Sequence, residues 1–236
     1  MEFKKRVAIV TGSSRGIGKA TALLFLEAGA NVVILARDQN ELMKCAEEFQ
    51  NDFGNERILA IVSDVSRIND INKVVSETIR KFGRLDILVN NAGVAVYKKV
   101  LEMSEKEWNQ TLDVNLKAVF LFSKAVLPQM TAQNYGRIIS ISSGLGKSGY
   151  PALAAYSASK FGVIGFTESL AYELAETKIK VFAVLPGGVN TKMHRDIFPE
   201  EGPNLLLKPE RIARVILALA STRPMKPSGS SIEVYS

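Results

Sequence analysis

Cysteine and histidine are almost missing: the 236 residues hold one of each, Cys45 and His194. A lone cysteine excludes an intrachain disulfide framework, and it excludes a Cys-based zinc or iron–sulfur site built by this chain alone. A lone histidine leaves no poly-His metal centre, and no Ser-His-Asp triad unless His194 carries it. Long apolar runs are missing as well, since no stretch approaches the ~18 residues of a membrane span. After the basic start Met1-Glu2-Phe3-Lys4-Lys5-Arg6, only Val7-Ala8-Ile9-Val10 precedes Thr11-Gly12. That is too short for the apolar stretch of a secretory signal, so a cytoplasmic protein with no membrane partner is expected. Acid is in modest deficit, 24 Asp and Glu against 30 Lys and Arg, for a net charge of +6. The surplus suits anionic ligands, although an ordinary solvated surface carries as much. No basic patch interleaved with aromatics accompanies it, so no nucleic-acid partner is expected.

What the chain does have is apolar residues, 47% of the total, enough for a sizeable core. Six short runs, at 7–10, 32–35, 58–62, 85–89, 138–142 and 180–185, are rich in Val and Ile on successive residues. Successive apolar residues mark strands buried on both faces. Helical spacing fills the stretches between them, at 20–28, 41–53, 71–82, 105–130 and 161–175. Strand and helix in alternation predict a doubly wound α/β fold, a parallel sheet of about seven strands with helices on both faces. A last helix at 208–221, with Pro209 in its first turn, leads to an alternating edge strand at 231–235. No repeat or linker divides the chain, which reads as a single domain over 1–236. Only 191–207, with Pro199, Gly202 and Pro203, lacks periodicity, and it reads as a flexible substrate loop.

Between the first strand and the first helix lies Thr11-Gly12-Ser13-Ser14-Arg15-Gly16-Ile17-Gly18. Glycines there permit a tight turn and let backbone N–H groups approach a pyrophosphate at a helix N-terminus. Gly12, Ser14, Arg15, Ile17 and Gly18 are therefore candidates for binding a dinucleotide cofactor. Which cofactor is read at the end of the second strand, Leu35-Ala36-Arg37-Asp38. Arg37 offers a guanidinium fork for a phosphate, with Arg15 directed toward the same corner, so NADP(H) is expected over NAD(H). The alternative is that Asp38 is the ribose-binding acid of an NAD site.

Tyr156-Ser157-Ala158-Ser159-Lys160 puts a phenol and an ammonium at i and i+4 of one helix face. A cation close by favours the phenolate and makes tyrosine a usable acid–base group. Ser143 lies at the C-terminal end of a buried strand, where ligands of open α/β sheets bind. Its hydroxyl would hydrogen-bond a substrate carbonyl and the charge developing on it. His194 reads as a loop histidine, Cys45 as a packed thiol and Trp108 as a packing anchor.

With these pieces in order, the sequence resembles the short-chain dehydrogenase/reductase family almost end to end. The matching segments are the glycine turn, Asp64-Val65, Asn90-Asn91-Ala92-Gly93, Asn115, Ser143 placed 13 residues before Tyr156, Lys160, and Pro186-Gly187-Gly188-Val189-Asn190-Thr191. The resemblance implies a Rossmann-type fold and interconversion of a carbonyl and a secondary alcohol. Tyr156 would be the acid–base, with Lys160 lowering its pKa and holding the nicotinamide ribose. Ser143 would orient the carbonyl, and Asn115 would anchor a water that relays protons. Asp64 and Val65 would contact the adenine, Asn91 and Gly93 would line the cofactor path, and Val189 and Thr191 would bind the carboxamide. The implied substrate is a small ketone or alcohol, or an acyl group held on a carrier protein. A non-catalytic sensor of NADP is the rival reading, against which the complete catalytic set argues. Apolar residues on more than one face of 105–130 and 154–175 predict a homodimer or homotetramer. One departure is the C-terminal Ile232-Glu233-Val234-Tyr235-Ser236, where the family often has an Asp-Gly-Gly segment used in subunit packing.

Overall fold

The computed structural model describes residues 3–235; Met1 and Glu2 of the basic start and Ser236 lie outside the described residues. Seven strands form one parallel sheet: β1 (Val7–Thr11), β2 (Asn31–Ala36), β3 (Ile58–Val62), β4 (Ile87–Asn90), β5 (Gly136–Ile141), β6 (Ile179–Pro186) and β7 (Ser231–Val234). Their order is β3-β2-β1-β4-β5-β6-β7. The sheet therefore grows in one direction from β1 and then in the other, and the reversal lies between β1 and β4. In open parallel sheets that reversal opens a ligand crevice at the C-terminal ends of the strands.

Eight helices cover the two faces: α1 (Gly16–Glu27), α2 (Gln39–Phe53), α3 (Ile68–Phe82), α4 (Glu105–Leu112), α5 (Ala118–Ala132), α6 (Ala154–Glu173), α7 (Lys192–Ile197) and α8 (Pro209–Ala220). The unbroken apolar runs of the strands follow from this double cover, because alternate residues enter opposite cores. Ala8 and Val10 join Phe25, Phe49 and Ile216 beneath α1, α2 and α8. Val7 and Ile9 join Val74, Phe122 and Leu170 beneath α3, α5 and α6.

Three segments differ from the sequence expectation. The helix expected at 105–130 is broken: α4 and α5 are joined by a wide π-helical turn over Asp113–Lys117. The loop expected to lack structure at 191–207 contains α7 and a short 3-10 turn at Pro203–Leu205, and Val189 bridges Leu207. Six residues and one turn are too few to leave a periodic signal. Leu85, read as the start of the fourth strand, precedes it, and the Gln133 side chain holds both its backbone N–H and its carbonyl.

Candidate functional site

The glycine turn is built from β1 outward. Gly12 and Gly16 have φ of +62° and +56°, which side chains with a Cβ rarely adopt. Gly18 is closed in, since a Cβ there would stand 2.5 Å from Asn91 Nδ2. The amide of Asn91 donates to the carbonyls of Thr11 at 2.8 Å and Gly12 at 3.0 Å, fastening the turn to the end of β4. Buried Ser13 fastens the other side, its Oγ donating to Val10 O at 2.8 Å and accepting from Leu35 N–H at 2.9 Å. At the start of α1 the cap residue Arg15 makes no side-chain cap bond, and the first helical turn carries no acid. The orphan amides and the positive end of the helix dipole are thus left for an anion, so the turn fits a dinucleotide pyrophosphate. Ile17, partly buried, packs against the core beneath α1, α2 and α8.

At the far end of the crevice a cleft of about 550 Å³ is lined by Arg37, Asp64 and Ser66 and, from α4 and the turn that follows it, by the acids Glu105 and Asp113 together with Lys106, Asn109 and Gln110. Asp38 caps α2, accepting from Glu41 N–H at 3.0 Å. Arg15, expected to face this corner, pairs with Glu41 at 2.9 Å, and Ser14 meets the same carboxylate at 3.4 Å. Burial alone would raise the Asp64 carboxyl, but two hydrogen bonds from Ser66, with Arg37 and Arg67 nearby, outweigh it and hold the group below its ordinary value. Val65 beside it is buried.

The candidate reaction centre lies at the ends of β4 and β5. Tyr156, in the first turn of α6, is partly buried, and that burial pushes its phenol upward against a hydrogen bond with Ser143. The Oγ of Ser143 also accepts from Leu145 N–H at 3.1 Å. Lys160 is buried, with Nζ donating to Ile141 O at 2.8 Å and lying 5.5 Å from the centre of the Tyr156 ring. Burial lowers its ammonium to about 8. The i, i+4 spacing does make the two groups neighbours. The expected lowering of the phenol by Lys160 is corrected, however: desolvation is the largest influence on both groups and favours the neutral form of each.

The π-helical turn brings Asn115 inward, where its amide is fully used. Oδ1 accepts from Val94 N–H at 2.8 Å, and Nδ2 donates to Val94 O at 2.9 Å and Ser159 Oγ at 3.0 Å. Gly93 lies against this group, its Cβ position being 3.4 Å from Asn115 Oδ1 and 3.8 Å from Lys160 Nζ. Thr191 caps α7 through Oγ1, which accepts from His194 N–H at 3.3 Å, while its methyl lies 3.3 Å from the Cβ position of Gly16. Val189 is buried one step earlier. The structure thus brings Asn115, Ser143, Tyr156, Lys160 and Gly93 into one group, and Gly12, Gly16, Gly18, Asn91 and Thr191 into another beside it.

Sequence reasoning missed Tyr235. Half exposed, it lies across the ends of β5 and β6, with Cδ1 2.8 Å from the Cβ position of Gly187 and Oη 3.0 Å from that of Gly144. Glycines directly after Ser143 and Pro186 were the available signal, but nothing local says which side chain faces them.

A sequence model described as short chain dehydrogenase matches residues 6–202. The chain belongs to the short-chain dehydrogenase family. It is 37% identical to a 3-oxoacyl-(acyl-carrier-protein) reductase of Thermotoga maritima, over 99% of this chain and 98% of that protein. A Synechocystis protein named as the same reductase is 40% identical over 92% of this chain and 89% of its own. A subunit of a hydroxy(phenyl)methylsuccinyl-CoA dehydrogenase of Thauera aromatica is 39% identical over 93% of this chain and 91% of its own. This short-chain dehydrogenase is accordingly an oxidoreductase that interconverts a carbonyl and an alcohol with a nicotinamide cofactor. No helix among its described residues is long and apolar enough to cross a membrane.

Proposed function

We propose that this short-chain dehydrogenase prefers NADP(H) and works as a carbonyl reductase with Tyr156 as the proton donor. The observation that carries the reading is the contact of Tyr156 with Ser143 beside a buried Lys160, in the crevice beyond β5. Bound nicotinamide supplies or accepts the hydride. Ser143 holds the carbonyl oxygen with a hydrogen bond, and Tyr156 delivers the proton as charge develops there. Lys160 orients the nicotinamide ribose and replenishes the proton of Tyr156. In a π-helical turn, bonds reach one residue further than in an α-helix and a carbonyl loses its usual partner. With both side-chain donors of Asn115 spent, that backbone is the better anchor for a proton-carrying water. Gly12, Ser14, Arg15, Ile17 and Gly18 would hold the pyrophosphate, Asp64 and Val65 the adenine, and Val189 and Thr191 the carboxamide. Preference for the 2′-phosphate rests on Arg37 in the 550 Å³ cleft, with the Asp38 carboxylate occupied as a helix cap.

The purified protein should oxidise NADPH faster than NADH when offered a panel of ketones. Tyr156→Phe should abolish turnover at unchanged NADPH affinity, and Arg37→Asp should reverse the cofactor preference. Tight NADPH binding with no turnover on any carbonyl would replace the reductase by a sensor. A second reading, reduction of 3-oxoacyl groups on a carrier protein, is favoured by two relatives named for that reaction that match over nearly the whole chain. Comparing kcat/KM for carrier-bound and free ketones decides between them. The chain also assembles with copies of itself. Phe120 and Phe161 are 44% and 47% exposed on α5 and α6, and Phe120 packs edge-on against Phe166. Light scattering at micromolar concentration should report a dimer or tetramer.

A further inference from the structure

Three loops leave the sheet at the C-terminal ends of β4, β5 and β6, and each contributes one aromatic residue to a common cluster. Phe198, the residue after α7, stands 5.4 Å from Tyr150 at 87° and 6.3 Å from Tyr97 at 72°. The His194 ring backs it at 5.1 Å. Edge-to-face pairs at these separations are favourable, yet this set is not part of a core. Tyr97 and Tyr150 are 51% and 45% exposed, and none of the three rings belongs to either apolar cluster beneath the helices. Rings gathered from three separate loops thus keep open surface where the crevice meets solvent.

The cluster is tied to the segments that lead into the reaction centre. Lys98 N–H donates to Ala152 O at 2.8 Å, tying the Tyr97 loop to the segment that runs from Tyr150 into Tyr156. On the other side, His194 Cε1 is 3.2 Å from the Cβ position of Gly188, which hangs α7 and Phe198 over the Pro186–Thr191 segment. The adenosine cleft with Arg37 and Asp64 lies at β2 and β3, on the opposite half of the sheet. The base of the flap is pinned, Asn190 N–H donating to Leu207 O and Leu207 N–H to Gly188 O, each at 2.9 Å. His194 Nε2 and Glu201 Oε2, 2.9 Å apart, clip its two arms together. At the Phe198 end the backbone is fixed, Phe198 N–H donating to His194 O at 2.8 Å and its carbonyl accepting from Glu201 N–H at 3.2 Å, while the ring meets Tyr97, Tyr150 and His194.

We infer that Tyr97, Tyr150 and Phe198 form a subsite for an aryl substituent on the carbonyl substrate. This rests on carbonyl reduction at Tyr156. The test uses two 3-oxo esters that differ only beside the carbonyl, ethyl benzoylacetate and ethyl acetoacetate, with NADPH for turnover and with NADP⁺ for calorimetric binding. The wild type should favour the phenyl ester at least about tenfold in kcat/KM and in affinity. Phe198→Leu keeps apolar bulk but removes the ring, and Tyr150→Leu does the same across the contact. Each should erase most of that preference while leaving the methyl ester within about twofold and NADPH affinity unchanged. Reduction of both esters without aryl preference overturns the subsite and leaves the reductase reading standing, and so does an equal fall for both esters in the variants. Selective binding of the phenyl ester, lost in Phe198→Leu, with no carbonyl reduced, sustains the subsite and defeats the reductase reading.

Discussion

Lys160 and Tyr156 are both pushed toward neutrality, but in opposite directions on the pH scale. The ammonium falls to about 8 and the phenol rises above its ordinary value. Lys160 therefore carries its charge below about pH 8 and loses it above, while the phenol keeps its proton through that window. If the ammonium replenishes the phenol, kcat for reduction at saturating NADPH should be flat below pH 8 and fall above it. Lys160→Met should lower kcat and remove that limb, which a pH–rate series reads directly. Tyr235 acts at the same scale, its ring against Gly187 and its hydroxyl beside Gly144 and hydrogen-bonded with Glu233. It packs against the residues after Ser143 and Pro186, and a misplacement of ~1 Å at a reacting group can cost up to 10²-fold. Tyr235→Ala should lower kcat about tenfold, and Tyr235→Phe, which keeps the ring against Gly187 but loses the Oη beside Gly144 and its hydrogen bond with Glu233, should restore only part of it.

Asn115 is presented by an element that periodicity conceals. Apolar residues continue from α4 through Val114, Leu116 and Val119 into α5, so the stretch reads as one helix and the extra residue of the π-helical turn leaves no mark. The available cue was an amide in an apolar stretch, Val114-Asn115-Leu116, and in the fold that residue is 1% exposed. Asn115→Ala strips Val94 of both side-chain partners, which should cost about 1–3 kcal/mol in denaturant unfolding and loosen the segment beside Lys160. The strands were legible for a different reason: burial on both faces demands the successive apolar residues seen in the sequence. The glycine turn and the Tyr156–Lys160 pair were legible because their geometry is local, a tight turn and an i, i+4 step. Tyr235 was not, since its contacts depend on the register that sets Val234 opposite Pro186. The aromatic cluster was hidden likewise, as Tyr97, Tyr150 and Phe198 meet only once three loops fold over the sheet.

Across the whole molecule, chemistry and stability occupy opposite ends of the sheet. At the N-terminal edge, buried Asp86 accepts from Val7 N–H at 3.0 Å, Arg6 at 2.7 Å and Arg84 at 2.6 Å. Tyr135 lies between two guanidinium groups, Arg6 at 3.9 Å and Arg137 at 4.5 Å from its ring. Arg137, itself buried, donates to the carbonyls of Gly136, Lys178, Ser221 and Thr222, joining β5 to the start of β6 and the end of α8. None of these groups reaches the crevice, so damage here should appear in unfolding and not in turnover. Asp86→Ala removes the buried carboxylate shared by two half-buried arginines, together with the acceptor of Val7 N–H, worth about 3 kcal/mol. For a chain of this length that is a fall of roughly 10 °C in Tm. Its kcat at 25 °C, measured on the folded fraction, should match the wild type. Tyr156→Phe should do the reverse, losing turnover while Tm stays within about 2 °C, since one hydroxyl at a crevice wall contributes little to folding. A matching loss of kcat in Asp86→Ala would mean that the edge also tunes the site, because strand register set at one end carries along β4 to Asn90 and Asn91.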